Sequence, residues 1–148
     1  MNLKKVLSPS TVSTELSGST KSEIIASLVD LAMNSGGIQD REEALQSVLD
    51  RERKMTTGME HGIAIPHGKT NAVEDLVVAV GISPEPVEFE AMDGRPCQIF
   101  IMTLSPLTRK GPHIQFLAEI TRILKEESRR AAILQAGSPK EVVDILVG

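Results

Sequence analysis

The sequence predicts an α/β fold, a single layered domain in which a mixed β-sheet of about four to five strands is covered by helices. Two observations predict this class. Amphipathic helical patterns lie near both ends of the chain, and apolar runs of strand length lie between them. Because 148 residues suffice for one hydrophobic core, we assign residues 1–148 to one domain.

The first two helices are predicted from their capping residues. Thr20 with Glu23, and again Asp40 with Glu43, place a capping side chain three residues before a carboxylate, which is the capping-box pattern. Apolar residues at helical spacing follow each pair. The two predicted helices cover residues 21–35 and 41–53.

The central part of the chain predicts the strands. Its apolar runs are short, rich in β-branched residues and separated by turn residues such as Pro, Gly and Asp. The predicted strands cover residues 63–65, 76–82 and 99–104, with a minor strand at 87–89 and a further short one near 12–16. The segment 83–86, which contains two prolines, is predicted to be a turn.

Three helices are predicted at the C-terminal end. Gly111 and Pro112 open the first of them, since proline favours the first helical position, and His113 then lies in its first turn. Free N–H groups and the helix dipole attract anions to such a position. The expected buried face comprises Ile114, Leu117, Ala118, Ile120 and Leu124, and the last two helices are predicted over 129–135 and 139–146.

Composition excludes several classes of function. Aromatic residues make up 2% of the chain and the net charge is −4, which argues against nucleic acid as a partner. Cys97 is the single cysteine and lies in an apolar run, so neither disulfides nor a thiolate metal cluster are expected. Without a signal core or an apolar run of ~18 residues, we expect a cytoplasmic protein with no direct membrane insertion.

The segment HGIAIPHGKT contains the most informative histidine. Pro66 lacks an N–H and is predicted to stop the strand, while Gly68 leaves room for another group to approach. His67 is therefore predicted to lie exposed at the rim of the core. The alternative is that His67 is an ordinary, partly buried polar residue.

The other candidate chemistries fit the sequence less well. A serine or cysteine triad would need a nucleophile motif that is absent, and no nucleotide-binding glycine loop is present. Glu60, His61, His67 and His113 are conceivable zinc ligands, but their spacing matches no compact ligand motif. A histidine that carries phosphate covalently needs less, because neutral imidazole, with an unperturbed pKa of about 6.5, is nucleophilic near pH 7.

The run from Ile63 to Gly68, with Glu52 upstream, resembles the phosphorylation signature of the enzyme IIA component, mannitol/fructose type, of the bacterial phosphoenolpyruvate-dependent sugar phosphotransferase system. The resemblance extends over almost the whole chain. It implies a protein-histidine phosphotransferase in which His67 accepts phosphate from the phosphocarrier protein HPr and passes it to a IIB domain. It also implies that no cofactor, metal or nucleotide takes part.

Two further site residues follow from the same resemblance. The segment around Arg51 is similar to the family's helix end bearing an arginine, which makes Arg51 a candidate for charge stabilisation, although a cation there also complements the helix dipole. His113 resembles the family's second histidine, with an orienting or phosphate-contacting role. Glu60 departs from the small residue that is usual in the family, and His61 is interpreted as a bystander.

The family includes two functional branches, and the sequence is compatible with both. In one branch, a IIA unit feeds a sugar permease through IIB. In the other, a nitrogen-related IIA protein regulates partners through its phosphorylation state. The motifs are slightly more similar to those of the fructose-type sugar branch.

Overall fold

The computed structural model, which describes residues Met1–Gly148, has the α/β architecture that the sequence predicts. Five helices surround a sheet of five strands. The strands are β1 (Val12–Ser13), β2 (Ile63–Ala64), β3 (His67–Lys69), β4 (Val77–Val87) and β5 (Cys97–Ser105). The helices are α1 (Lys21–Ala32), α2 (Arg41–Lys54), α3 (Gly111–Leu124), α4 (Glu127–Gln135) and α5 (Pro139–Val147).

The sheet is mixed, as expected. Its order is β1-β4-β5-β2, and β3 also pairs with β5 beyond the end of β2. The central pair, β4 and β5, is antiparallel, whereas β1 is parallel to β4 and both β2 and β3 are parallel to β5. Strand β5 therefore pairs with three other strands, β2, β3 and β4.

Side chains of β5 alternate between two hydrophobic cores, one on each face of the sheet. Phe100, Met102 and Leu104 pack with α1 and α2, while Ile99 and Ile101 pack with α3 and α5. This period of two is the normal consequence of strand geometry. The helices consequently cover both faces, which gives three layers.

The capping predictions for α1 and α2 are confirmed. The Thr20 side chain accepts a hydrogen bond from the N–H of Glu23, and the Asp40 side chain accepts one from the N–H of Glu43. The helix α1 is shorter than predicted, because its last turn tightens into a 3₁₀ helix over Met33–Ser35. Gly36, at φ 74°, then ends it in the left-handed conformation that favours glycine.

The predictions for residues 83–89 are wrong. The expected turn at 83–86 lies within β4, where the two prolines occupy an irregular stretch of the ladder between Ile82 and Val87 and no separate strand follows. Proline is tolerated there because a bulged segment does not need every N–H.

The buried face of α3 was also misassigned. It comprises His113, Phe116, Ile120, Ile123 and Leu124, while Ile114 is 61% exposed. At the start of the helix the predicted face was displaced by one residue, or about 100° around the axis, because a buried histidine takes the place of an apolar residue.

Candidate functional site

His67 begins strand β3 directly opposite Thr103 of β5. The preceding Pro66 does not end the ladder as predicted, because its carbonyl accepts a hydrogen bond from the N–H of Thr103 at 3.1 Å. A proline lacks only the donor, so the strand pairs through the remaining acceptor. The imidazole is half-buried rather than fully exposed.

The ring of His67 is oriented by the main chain. Its Nδ1 lies 3.1 Å from the carbonyl oxygen of Ile65. Because a carbonyl oxygen only accepts, this hydrogen bond requires a proton on Nδ1 and leaves the lone pair on Nε2. The nucleophilic atom of the neutral ring is therefore Nε2.

His113 lies against His67, although the two are 46 positions apart in the sequence. It is the third residue of α3 and only 8% exposed. The two ring centroids are 5.0 Å apart with an interplanar angle of 39°. The hydroxyl of Thr103, the residue opposite His67 in the sheet, lies 2.9 Å from Nδ1 of His113. One residue of β5 thus fixes the positions of both histidines.

Both imidazoles favour the neutral form. Burial lowers the pKa of His113 to about 4, and the nearby positive charges of His67, when protonated, and Lys69 act in the same direction. Burial also lowers the pKa of His67, partly opposed by the hydrogen bond to Ile65 and reinforced by the charge of Arg51. A neutral pair is what nucleophilic attack by one imidazole requires.

Arg51 lies beside His67. Both residues line one shallow cavity of about 240 Å³, together with the loop that follows α2. The guanidinium Nη1 donates a hydrogen bond to the carbonyl of Met55 at 2.7 Å. Arg53, the other arginine of this turn, instead pairs with Asp50 at 2.7 Å and its side chain is 68% exposed.

Lys69 is a further cation that the sequence reasoning missed. It lies two residues after His67 in β3, and its charge lowers the pKa of both histidines. The signal was available, because residues i and i+2 of a strand project to the same side of the sheet. Arg51 and Lys69 together provide positive charge for an anion at His67.

Gly68 leaves room for a neighbouring element, as predicted, and that element is helix α2. A β-carbon at Gly68 would lie 3.0 Å from the backbone carbon of Ser47 and from the nitrogen of Val48, and would overlap the Ser47 hydroxyl. The close contact between α2 and β3 brings the C-terminal turn of α2, with Arg51, toward His67.

An apolar rim surrounds the cavity. Met59, Ile65, Met92 and Leu117 line it, and Met92 is 73% exposed. Methionine side chains adapt to different packing partners because they are unbranched and polarisable. These four side chains come from separate parts of the chain, so only the fold brings them together into one surface.

Glu60 and His61 lie outside this cavity, in a neighbouring groove. The His61 imidazole is 3.7 Å from the Glu60 carboxylate, and both side chains are more than half exposed. His61 has a left-handed backbone, and its N–H donates to Asp93. No three His, Cys, Asp or Glu side chains gather closely enough to hold a metal ion, so the zinc alternative lacks a ligand set.

The arrangement suits reversible attachment of a tetrahedral anion to His67. One imidazole offers a lone pair on Nε2, a second neutral imidazole lies beside it, and two cations reduce the cost of bringing negative charge to the site.

None of the helices combines the length and apolar character needed to cross a membrane.

Comparisons with known proteins show which family this chain is similar to. Residues 5–147 match the family described as phosphoenolpyruvate-dependent sugar phosphotransferase system, EIIA 2. The fructose-specific EIIA component of Haloferax volcanii is 40% identical over 135 residues, which cover 91% of this chain and 88% of that protein. The fructose-specific EIIABC component of Bacillus subtilis is 29% identical over 99% of this chain, which spans only 23% of that longer protein.

Solved structures are similar over nearly the whole chain. The nitrogen regulatory protein IIA-Ntr from Neisseria meningitidis has a TM-score of 0.85 at 25% identity, with 97% of this chain and 98% of that chain covered. The mannitol IIA enzyme of Escherichia coli, determined in complex with phosphorylated mannitol IIB, has a TM-score of 0.82 at 26% identity, with 96% and 97% covered.

Proposed function

This chain belongs to the EIIA type 2 family of the phosphoenolpyruvate-dependent sugar phosphotransferase system, and we propose that His67 is its phosphoryl acceptor. In the proposed reaction, the phosphorylated carrier HPr delivers the phosphoryl group and a IIB domain receives it. Residues 1–148 act as one phosphocarrier domain. Members of the family carry phosphoryl groups between proteins, and this family activity supports the proposal.

One observation carries the proposal. The hydrogen bond from Nδ1 of His67 to the carbonyl of Ile65 leaves the lone pair on Nε2, the ring atom that remains to attack phosphorus. In the first step the bond between phosphorus and the carrier atom of the phosphorylated donor breaks as the bond from Nε2 of His67 to phosphorus forms. In the second step the new bond breaks in turn as the acceptor nucleophile on IIB attacks. Atoms and charge balance without any cofactor.

The neighbouring residues have separate proposed roles. Arg51 and Lys69 stabilise the negative charge that spreads over the transferring oxygens, since phosphoryl transfer depends mainly on positioning and electrostatics. His113, kept neutral by burial, contacts or orients the phosphoryl group. The apolar rim around Met92 excludes water while donor or acceptor is docked.

The test is labelling from phosphoenolpyruvate through enzyme I and HPr. We expect one acid-labile phosphoryl group on the wild-type chain and none on His67→Ala. His61→Ala is the matched control, because it removes an exposed imidazole of the same segment outside the cavity. Equal labelling of wild type and His67→Ala would show that another group accepts the phosphate.

A second candidate function is regulatory. The similarity to the Neisseria IIA-Ntr structure favours a protein that controls partners through its phosphorylation state. Similarity to the EIIABC chain and to the mannitol IIA–IIB complex favours onward transfer to IIB. Both functions predict the same labelling of His67. Transfer of the label to a IIB domain of a fructose-type permease would establish the sugar branch, and its absence would favour the regulatory one.

A further inference from the structure

We propose that Lys21, at the start of α1, is a positioning residue for phosphoryl transfer at His67. It acts through a chain of contacts that runs from Glu52 to Thr57, then to Ile65, and ends on the imidazole ring. The proposal rests on the function proposed above. It assigns a role to a residue 46 positions from the acceptor that no sequence motif includes.

The chain starts with a buried ion pair. The Glu52 carboxylate, in the last turn of α2, has a side-chain exposure of 5%, and Nζ of Lys21 lies 3.1 Å from its Oε2. A charge so far removed from water needs a partner, because an uncompensated buried carboxylate is strongly unfavourable. Lys21, which also pairs with the exposed carboxylate of Glu90 at 3.0 Å, supplies the positive charge beside Glu52.

Glu52 in turn holds the loop that follows α2. Its Oε2 accepts a hydrogen bond from the N–H of Thr57 at 2.7 Å, and its Oε1 accepts one from the Thr57 hydroxyl at 2.5 Å. Hydrogen bonds to an ionised acceptor are stronger than neutral ones. Both oxygens of the carboxylate therefore fix the position of one residue of the loop.

Thr57 connects this network to the histidine. Its carbonyl accepts a hydrogen bond from the N–H of Ile65 at 3.1 Å. The carbonyl of the same Ile65 accepts the bond from Nδ1 of His67 that determines which ring nitrogen is free. Displacement of Thr57 would thus shift the acceptor that orients the imidazole and selects its tautomer.

Arg51 depends on the same loop. Its guanidinium donates to the carbonyl of Met55, two residues before Thr57, and Arg51 itself immediately precedes Glu52 in the helix. Lys21 also contacts the loop directly, with Nζ 3.5 Å from the Thr56 hydroxyl. A change at Lys21 would therefore affect the nucleophile and the phosphate-facing cation together.

The side chain of Lys21 is largely buried, and the test must preserve its volume. Nζ lies 5.0 Å from the centroid of the Phe89 ring, and the side chain is only 20% exposed. Lys21→Met keeps most of the stem and removes the charge. Lys140→Met is the control, because it removes a lysine from an exposed pair with Asp144 at 2.7 Å, on a helix distant from the loop.

The experiment measures three quantities on the whole chain: the rate of labelling from phosphorylated HPr, the tautomer of His67 from ring ¹⁵N chemical shifts, and the urea midpoint. For Lys21→Met we expect transfer to slow by about tenfold to a hundredfold, the range typical of residues that orient a reacting group without touching it. We also expect a measurable population of His67 with its proton on Nε2. Lys140→Met should match wild type in rate and tautomer.

The tautomer separates positioning from stability. A purely structural role would lower the urea midpoint of Lys21→Met and leave the rate and tautomer of the folded molecules unchanged, and that result would overturn the proposal. Should Lys21→Met fail to fold, Thr57→Val decides, since it removes the hydroxyl bond to Glu52 and conserves shape. Slower transfer with a shifted tautomer supports the proposal, and wild-type behaviour refutes it.

Failure of the proposed function gives a different result. If the wild-type chain is not labelled at His67, the phosphocarrier assignment falls, yet the tautomer of Lys21→Met still reports on the contacts. If the wild type is labelled and Lys21→Met transfers at the same rate with the same tautomer, only the role of Lys21 is lost.

Discussion

The buried imidazole of His113 predicts that this protein loses stability as the solution is acidified. In the folded chain the pKa of His113 falls from 6.5 to about 4, because burial penalises the charged ring. The unfolded chain binds a proton near the ordinary pKa, so between these two values it holds more protons than the folded chain. Stability from this group is therefore complete above about pH 6.5 and is lost as the pH falls toward 4.

The size of the effect follows from the shift. A difference of about 2.5 pKa units, 6.5 minus 4, corresponds to about 3 kcal/mol at 1.36 kcal/mol per unit. Because small domains are stable by only ~5–15 kcal/mol, this is a large fraction of the total. The free energy of unfolding should change by up to about 1.4 kcal/mol per pH unit within the window.

Urea unfolding of wild type and His113→Gln, between about pH 7 and about pH 4, measures this contribution. Glutamine keeps a polar group for the Thr103 hydroxyl but does not titrate. Acidification also destabilises both proteins through His67, because its pKa is lowered as well. The difference between their two curves of unfolding free energy against pH therefore isolates the contribution of His113. His61→Gln should follow the wild type, as the ring of His61 is half exposed. Parallel curves for wild type and His113→Gln would refute the assigned cause.

Two substitutions on and beside helix α2 give further expectations. Gly68→Ala should destabilise the fold by ~1–3 kcal/mol, since its new carbon would lie 3.0 Å from Ser47 and Val48 backbone atoms. Gly111→Ala, with no atom within 4 Å of the added carbon, is the control, and equal urea midpoints would contradict the clash. Arg51→Ala should slow His67 labelling while reducing stability by only ~0.3–1 kcal/mol. A loss of folding as large as the loss of transfer, or an equal effect of Arg53→Ala, would refute that role.

The local features of the fold could be read from the sequence because each depends on neighbouring residues. The hydrogen bonds from Thr20 and Asp40 to N–H groups three positions on are contacts within one turn, so their side-chain chemistry suffices to predict them. The prolines within β4 were predicted to form a turn, and this was wrong because their conformation depends on pairing with another strand. A proline is compatible with a strand wherever the partner strand does not need its N–H, and only the pairing shows where that is.

The candidate site likewise combines residues that their own segments indicate with contacts that only the tertiary structure reveals. The sequence made His67 a candidate through its own segment and the resemblance of that segment to a known family, and the same resemblance made Arg51 and His113 its candidate partners. The contacts from Lys21 through Glu52 were not recognisable, since the two residues are 31 positions apart and their charges look like ordinary helix-end residues. A buried ion pair becomes visible only when the packing of α1 against α2 removes it from water.

The sequence by itself determined the alternation of helices and strands, and it singled out His67 as the candidate nucleophile from the chemistry that a neutral imidazole permits. The tertiary structure alone decided that His67 pairs with Thr103 in the sheet and so meets His113, that Gly68 admits helix α2, and which nitrogen of His67 carries the proton. The physical reason is that hydrophobic periodicity and capping residues, which indicate whether a segment is a helix or a strand, lie within that segment. The register between strands and the approach of helices depend on long-range packing, which no local pattern contains.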